Sequence, residues 1–284
     1  MEAGQSTPKK SSELKQRVIA GLGGLGLILL ALFGHPWGYF VLFMLIGVLT
    51  QWEFYQLVGL RQKRYLQVYG VLLGVTTNLI VFLHFYQPSV VFSSRYFSLI
   101  FPILFVVFLV ELYQKNNESP FQDISWWLLG IIYTALPFAL LHFIAFDTAN
   151  GIYSPTNVLG VLFLIWANDI GAYFAGKAFG RTPLFPRISP KKTKEGSVGG
   201  VLFTLFVAAG MIFTFNDRDD WKWFVIAGIV IITGTYGDLV ESMFKRSIQI
   251  KDSGSAIPGH GGFLDRFDAF LLAIPFIVAF LQIF

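Results

Sequence analysis

The stretch from Ser242 to Asp268 concentrates charge, glycine and histidine between two long apolar segments of the chain. Four of its residues are cations able to bind phosphate oxygens: Lys245, Arg246, Lys251 and Arg266. The turn Pro258-Gly259-His260-Gly261-Gly262 lets backbone N–H groups approach an anion closely. Asp265 and Asp268 are three residues apart, share a helical face and offer the oxygen ligands that a divalent metal takes. These residues together predict a site that handles a polyphosphate.

The rest of the chain has the composition of a protein built for lipid. Of 284 residues, 55% are hydrophobic and 13% charged, and the mean hydropathy is +0.62. A soluble domain carries about 25% charged residues. The chain is therefore predicted to be a polytopic membrane protein without a separate soluble domain. With no cysteine, disulfides, thiolate metal sites and cysteine nucleophiles are excluded.

Nine apolar segments are predicted to cross the membrane, since about 20 apolar residues span a ~30 Å hydrocarbon core. They are 17–33, 39–57, 66–85, 97–113, 125–146, 158–179, 197–215, 221–244 and 263–284. The first is short and the sixth and eighth contain charges, so eight to ten spans stay open. We expect an all-α integral membrane protein with a flexible basic tail, 1–16, and a single transmembrane domain, 17–284. Within that domain 17–150 is expected to be mainly scaffold and 158–284 to carry the catalytic site.

Loop charge gives the predicted orientation. With nine spans, all but three of the 21 Lys and Arg residues fall on the side of the N-terminal tail. The positive-inside rule then places the N-terminus in the cytoplasm and the C-terminus outside. The two long polar loops, 180–196 and 245–262, would face the cytoplasm, where nucleotides are. This bias explains the net charge of +4 better than nucleic-acid binding does, and basic loops also attract anionic membrane lipids.

The eighth segment carries a polar stripe made of Asp238, Glu241, Ser242 and Lys245. Their spacing puts them on one helical face, and ionisable groups within lipid usually face a cavity or a partner. An ion-pair ladder inside a buried helix is one interpretation; a metal and phosphate site is the other. If Asp238 meets Asp265 and Asp268, the three carboxylates repel each other unless a cation lies between them. Oxygen ligands beside phosphate favour Mg²⁺.

Two further segments are candidates for substrate binding. Asp169 and Tyr173, four residues apart, share a face of the sixth segment. Residues 189–196 form a basic loop that ends at a predicted helix start, and its candidate phosphate contacts are Ser189, Lys191, Lys192 and Thr193. A basic run next to a membrane is the simpler interpretation of that loop. His260 is either a solvated loop histidine or a residue for phosphate contact or proton transfer.

The C-terminal residues resemble the signature of the phosphatidate cytidylyltransferase (CDP-diacylglycerol synthase) family, S-x-x-K-R-x4-K-D-x5-P-G-H-G-G-x-x-D-R-x-D. The matching residues are Ser242, Lys245, Arg246, Lys251, Asp252, Pro258, Gly259, His260, Gly261, Gly262, Asp265, Arg266 and Asp268. Leu14 to Arg17, Glu53-Phe54, the Asp169/Tyr173 segment and 189–196 are also similar to the family. The resemblance therefore touches most of the chain and is densest from Trp166 onward.

The resemblance implies a reaction in which CTP and phosphatidic acid give CDP-diacylglycerol and pyrophosphate. It further implies that Asp238, Asp265 and Asp268 hold a catalytic Mg²⁺, with a second cation such as K⁺ left open. Lys245, Arg246 and His260 are then expected to act at the phosphates. The substrates are expected to contact Lys251, Asp252, Gly261, Gly262 and Arg266 as well as the residues of the two segments above. The expected location is the inner (plasma) membrane, with the active site facing the cytoplasm; a homodimer is left open.

Two other functions fit part of the pattern. A CTP-dependent polyprenol or dolichol kinase would transfer the γ-phosphate to an alcohol and would need a base, for which His260 or Asp252 is available. A cation-coupled transporter would bind its ion at Asp169, Asp238 and Asp265. The polar residues concentrate on one side of the chain's predicted topology and no internal repeat is visible, which disfavours the transporter.

Overall fold

The computed structural model describes residues 10–87, 98, 100–115, 117–147, 151–215, 220–250, 253–254 and 261–284. Lys251, Asp252 and His260 lie outside the described residues, as do residues 1–9 of the predicted tail. The roles expected of those three residues stay predictions.

The described part of the chain is built from eleven α-helices and one small hairpin. The helices are α1 (Lys10–Gly34), α2 (Pro36–Leu57), α3 (Arg64–Tyr86), α4 (Ile100–Leu112), α5 (Pro120–Gly130), α6 (Leu136–Leu140), α7 (His142–Ala145), α8 (Pro155–Phe179), α9 (Lys194–Phe215), α10 (Asp220–Ser247) and α11 (Leu264–Ile283). A 3₁₀ turn, Leu60–Gln62, follows α2. A π-helical turn, Ile131–Ala135, joins α5 to α6, and Pro137 lies in the first turn of α6, where proline is tolerated.

Each predicted apolar segment corresponds to a helix or to one continuous run of helices. Seven in the described residues are long and apolar enough to cross a membrane, the third of them being Pro120–Ala145. The other two, Val18–Gly34 and Phe101–Leu112, are apolar but shorter. The multi-pass helical architecture is thus confirmed, whereas the count of nine spans and the sides of the two termini stay predictions.

The loop predicted at 180–196 contains a hairpin, which the all-α expectation omitted. Strand β1 (Pro183–Phe185) pairs antiparallel with β2 (Ser189–Thr193), with Pro183 opposite Thr193 and Phe185 opposite Ser189. Helix α9 begins directly after β2 at Lys194, as the sequence predicted for the end of this loop. The Thr193 hydroxyl accepts a hydrogen bond from the Gly196 N–H at 3.2 Å and satisfies one of the unpaired donors of the first turn.

The N-terminal helices pack around a buried polar triad. His142 is fully buried, and its Nδ1 and Nε2 lie 2.9 Å from the Tyr39 hydroxyl and from Asn78 Oδ1. Phe40 and Phe82 stack beside it with ring centroids 4.4 Å apart. Both ring nitrogens of His142 are therefore paired, so this histidine is structural.

Glycines let α8, α9 and α10 approach closely. A Cβ at Gly171 of α8 would lie 2.6 Å from the Gly199 carbonyl oxygen of α9. The buried Asn168 lies between Gly200 of α9 and Gly234 of α10, where added Cβ atoms would come within 2.7 and 2.8 Å of its amide. Small residues at helix contacts are the usual means of close packing within membranes. This packing brings the polar residues of three helices to one cavity.

Candidate active site

A polar cavity of about 620 Å³ lies between α8, α10, α11, the start of α9 and strand β2. It gathers residues from all three segments that the sequence singled out. The predicted site residues that line it are Asp169, Tyr173, Ser189, Lys191, Lys192, Thr193, Asp238, Lys245, Asp265 and Asp268. The cavity is within the size range of small-ligand sites.

Close contact between α10 and α11 groups three carboxylates at the cavity. A Cβ at Gly237 would lie 2.8 Å from the Asp268 carbonyl oxygen, so only glycine allows this approach of the two helices. The approach places Asp238, Glu241 and Asp268 with one carboxylate oxygen each within 4.8 Å of the others. Groups of like charge at this distance repel one another strongly unless a cation lies between them.

Glu241 is the member of this group that the site predictions omitted. Its side chain is 2% exposed, and Oε2 is paired with Lys245 Nζ at 2.8 Å. The other oxygen, Oε1, is buried without a hydrogen-bond partner among the described residues. The spacing of Asp238 and Glu241, three residues apart, is the same signal that singled out Asp265 and Asp268.

These donors fit the divalent cation that the sequence predicted. An unpaired buried carboxylate oxygen such as Glu241 Oε1 is costly, and the carboxylate of Glu241 lies where two further carboxylates converge. Carboxylate oxygens alone, without nitrogen or sulfur ligands, are the donors that Mg²⁺ and Ca²⁺ take. The three residues are thus a suitable set of ligands for Mg²⁺.

Asp265, one of the three predicted ligands, has other partners. Its Oδ1 is paired with Lys245 Nζ at 2.8 Å, and its Oδ2 accepts hydrogen bonds from the Ser253 and Gly262 N–H groups at 3.2 and 3.4 Å. Lys245 therefore lies between Glu241 and Asp265. The carboxylate of Asp265 holds Lys245 and the loop in place, one helical turn away from Asp268.

The hairpin brings a second cation to the carboxylates. Lys192 Nζ of β2 is paired with Asp238 Oδ2 at 2.5 Å, whereas its neighbour Lys191 is exposed at the cavity. Successive strand residues point to opposite faces, which explains why only one of the two lysines reaches Asp238. The basic loop predicted at 189–196 thus faces the cavity, with Ser189 and Thr193 half-buried in its lining.

The predicted residues Tyr173, Arg246 and Arg266 have different surroundings. Lys177 Nζ lies 5.9 Å from the centroid of the Tyr173 ring, at the wall formed by α8. Arg246 is exposed in the last turn of α10 and donates to the Ile250 carbonyl at 3.4 Å. Arg266 is exposed and interacts electrostatically with Asp169. Neither arginine belongs to the described lining of the polar cavity.

The carboxylate of Glu53, in α2, holds the glycine turn by hydrogen bonds, a role that was not predicted from the sequence. Its carboxylate accepts hydrogen bonds from the Phe263 N–H at 2.9 Å and from the Ser253 hydroxyl. Gly262 lies against it, and a Cβ at that position would overlap Glu53 Oε1. Gly261 has a φ of +90°, in the region that favours glycine. The predicted Gly261-Gly262 pair is therefore required by backbone conformation and by close packing.

Comparison with known proteins identifies the family of this chain. Residues 15–284 match the model of the cytidylyltransferase family. The phosphatidate cytidylyltransferase of Haemophilus influenzae is 33% identical over 285 residues, which cover 93% of this chain and 96% of the relative. The Aquifex aeolicus enzyme of the same name is 35% identical, over 74% of this chain and 87% of the relative. That of Staphylococcus aureus is 32% identical, over 84% and 88%. The chain therefore belongs to the cytidylyltransferase family, within its phosphatidate cytidylyltransferases, and is a nucleotidyltransferase.

Proposed function

We propose that this protein transfers CMP from CTP to phosphatidic acid, giving CDP-diacylglycerol and pyrophosphate for phospholipid synthesis. The observation that carries the proposal is the group of three carboxylates within 4.8 Å, flanked by Lys192 and Lys245. Such a group would hold a cation, and together with the two lysines it would place positive charge where a triphosphate has to bind. The names of its relatives support the same reaction.

The proposed setting is the inner membrane, with the cavity open to the cytoplasm. The excess of Lys and Arg on the side of the N-terminal tail supports this orientation, with the C-terminus outside. CTP would then enter from the cytoplasm, and phosphatidic acid from the surrounding membrane lipid. The region 158–284 supplies the cavity, while 17–150 supplies mainly scaffold. Neither nucleic acid nor a second protein is needed for this chemistry, and a homodimer is left open.

The reaction proceeds by in-line attack of a lipid phosphate oxygen on the α-phosphorus of CTP. A new P–O bond forms there as the bond to the pyrophosphate oxygen breaks. A phosphate monoester dianion is already nucleophilic near neutral pH, so a strong general base is not required. What catalysis needs is the approach of two polyanions and stabilisation of the leaving pyrophosphate, which are matters of positioning and electrostatics.

The residues of the cavity divide these tasks. Asp238, Glu241 and Asp268 would hold Mg²⁺, which, when bound, supplies positive charge to the α- and β-phosphate oxygens. Lys192 and Lys245, already paired with carboxylates of the group, would contact the triphosphate. Asp265, predicted as a further ligand, would act by holding Lys245 at this position. A second cation such as K⁺ is left open.

The hairpin would cover the bound nucleotide. Ser189, Lys191 and Thr193 of the hairpin line the cavity. Their hydroxyl and ammonium groups are suited to phosphate oxygens. Arg246, Lys251 and Arg266, with His260 and Asp252, would contact the leaving group or the lipid head group, as the family resemblance implies.

Transfer of label from CTP tests the function directly. Purified protein in detergent is given phosphatidic acid, Mg²⁺ and CTP labelled at either the α- or the γ-phosphate. We expect the α label to enter the lipid and the γ label to leave as pyrophosphate. Entry of the γ label into lipid when a polyprenol is supplied would identify a kinase instead. If folded protein transfers neither label, the reaction is wrong and the cation-coupled transporter becomes the better explanation.

A further inference from the structure

A second chamber lies beside the polar cavity and is almost entirely apolar. It has a volume of about 570 Å³ and is formed by α1, α2, α8 and α11. Among the described residues that line it, Arg266 alone carries a charge. A chamber of this size with one cation in its lining has the form of a site for an amphipathic anion.

Helix α11 separates the two chambers. Phe263, Arg266 and Phe267 line the apolar chamber, whereas Asp265 and Asp268 line the polar cavity. Because these residues fall within the six consecutive positions 263–268, the two chambers are only one helix diameter apart here. Arg266 is thus at the end of the apolar chamber that is nearest to the carboxylate group.

Helix α8 borders both chambers along a single face. Ile165 and Trp166 line the apolar chamber, and Asp169, one turn further on, lines the polar cavity. Asp169 interacts electrostatically with Arg266 across the gap between the helices. The polar cavity and the apolar chamber therefore adjoin at this pair of charges.

The length of the chamber suits part of one lipid leaflet. Residues 20 to 28 of α1 contribute its wall over eight residue steps, which is about 12 Å of helix axis at 1.5 Å per residue. One leaflet contributes about 15 Å of a ~30 Å hydrocarbon core. An acyl chain attached to a phosphate at Arg266 would therefore find apolar surface over most of its depth in the leaflet.

We propose that this chamber holds an acyl chain of the phosphatidic acid substrate, with the lipid phosphate at Arg266. The proposal rests on the proposed function, since it assigns the lipid half of the same site. Charge complementarity selects the occupant: the chamber offers one cation and otherwise hydrocarbon, and the substrate offers an anion and hydrocarbon. The phosphate would then lie beside Asp169, at the edge of the cavity that receives CTP.

Glycines of α1 provide a matched pair of variants. A Cβ at Gly24 or at Gly26 would meet nothing within 4 Å, so a side chain can begin in open space at both positions. Only Gly24 lines the chamber. We expect Gly24→Phe to lower kcat/KM for dioleoyl phosphatidic acid about tenfold, equivalent to roughly two methylenes that lose their apolar contact. Its kcat/KM for dihexanoyl phosphatidic acid should stay unchanged, and Gly26→Phe should match the wild type with both lipids.

Photo-crosslinking gives a readout that does not depend on turnover. Phosphatidic acid with a diazirine near the end of one acyl chain is added without CTP, and the labelled peptides are mapped. We expect labels at residues 20–28 or 162–166, with fewer in Gly24→Phe than in Gly26→Phe. Equal labelling by phosphatidylcholine with the same chain would mean a structural lipid and would overturn the proposal.

Kinetics also separate failure of this proposal from failure of the proposed function. If the wild type transfers CMP but Gly24→Phe and Gly26→Phe are equally active on the long-chain lipid, the chamber assignment is wrong and the function stands. An equal loss of activity on both lipids would also contradict the assignment, because it would indicate a general disturbance. If the wild type transfers no CMP, the proposed function fails. If phosphatidic acid also fails to label the chamber specifically, the lipid-binding assignment fails as well.

Discussion

Replacing Asp268 by Asn should stabilise the protein when no divalent cation is present. Its carboxylate lies within 4.8 Å of those of Asp238 and Glu241, and at an effective dielectric constant near 20 each repulsion is about 3.5 kcal/mol or more. The substitution removes two of these repulsions, at most about 7 kcal/mol with all three carboxylates ionised and before screening by water and by the neighbouring lysines. The hydrogen bond from the Ala269 N–H to Oδ1, at 2.7 Å, can be kept by Asn. We take about 2 kcal/mol as the net gain, which is roughly 4 °C or more in Tm.

Asp265→Asn is the matched control, because it changes the same charge three residues earlier. Its carboxylate is paired with Lys245 at 2.8 Å and accepts two backbone hydrogen bonds. We expect this variant to lose about 2 kcal/mol in the same cation-free buffer, since hydrogen bonds to charged groups contribute about 1.5–3 kcal/mol. The two aspartates should thus shift Tm in opposite directions, while both variants lose turnover.

Thermal unfolding in detergent, with EDTA and then with Mg²⁺, is the assay. In the wild type, Mg²⁺ at a hundredfold excess over its Kd should stabilise the folded state by about 2.7 kcal/mol. In Asp268→Asn we expect most of this gain to disappear. A variant that unfolds at or below the wild-type temperature in EDTA, and still gains stability from Mg²⁺, would refute the idea that these three carboxylates form the metal site.

Three further predictions concern the loop, the hairpin and the scaffold. Gly262→Ala should abolish turnover, because its Cβ would overlap Glu53 Oε1; Gly228→Ala, where a Cβ meets nothing within 4 Å, should leave activity and folding intact in the same assay. Lys192→Ala should lower kcat, since Lys192 is paired with Asp238 at 2.5 Å. Lys191→Ala should mainly raise the Michaelis constant of one substrate. Equal effects of the two substitutions on kcat and on the Michaelis constant would contradict this division. His142→Phe should cost about 2 kcal/mol of unfolding free energy by leaving Tyr39 and Asn78 unpaired. The KM for CTP should not change. An unchanged Tm would show that the triad contributes little to stability.

Much of the site could be predicted because its residues are anomalous for their surroundings. Asp238, Lys245 and Asp268 are ionisable groups in apolar segments, and only a cavity or a partner explains such positions. The structure places all three at one cavity. The choice of Glu241 or Asp265 as the third metal ligand could not be made from the sequence, because both have the i, i+3 spacing. It depends on the rotation of α10 against α11, which the contact at Gly237 sets.

The helices of the fold were predictable from the sequence, whereas the hairpin was not. Apolar length identified every major helix, since a segment of about 20 apolar residues has few alternatives to a membrane helix. It did not identify the β1–β2 hairpin, whose exposed strands alternate only weakly and are bounded by proline. Nor did it decide whether 18–34 and 101–112 complete a crossing, because their hydrophobic length falls short of a full span.

The contacts of Glu53 argue that the N-terminal helices contribute more to the site than support. This carboxylate comes from α2, yet it accepts hydrogen bonds from Ser253 and Phe263 and fixes the turn at which α11 begins. Asp265 and Asp268 take their positions from that helix start. The same α2, with α1, also walls the apolar chamber that ends at Arg266. A displacement of α2 would therefore move the carboxylate group and the lipid chamber together, which would couple entry of the lipid to the geometry of the metal site.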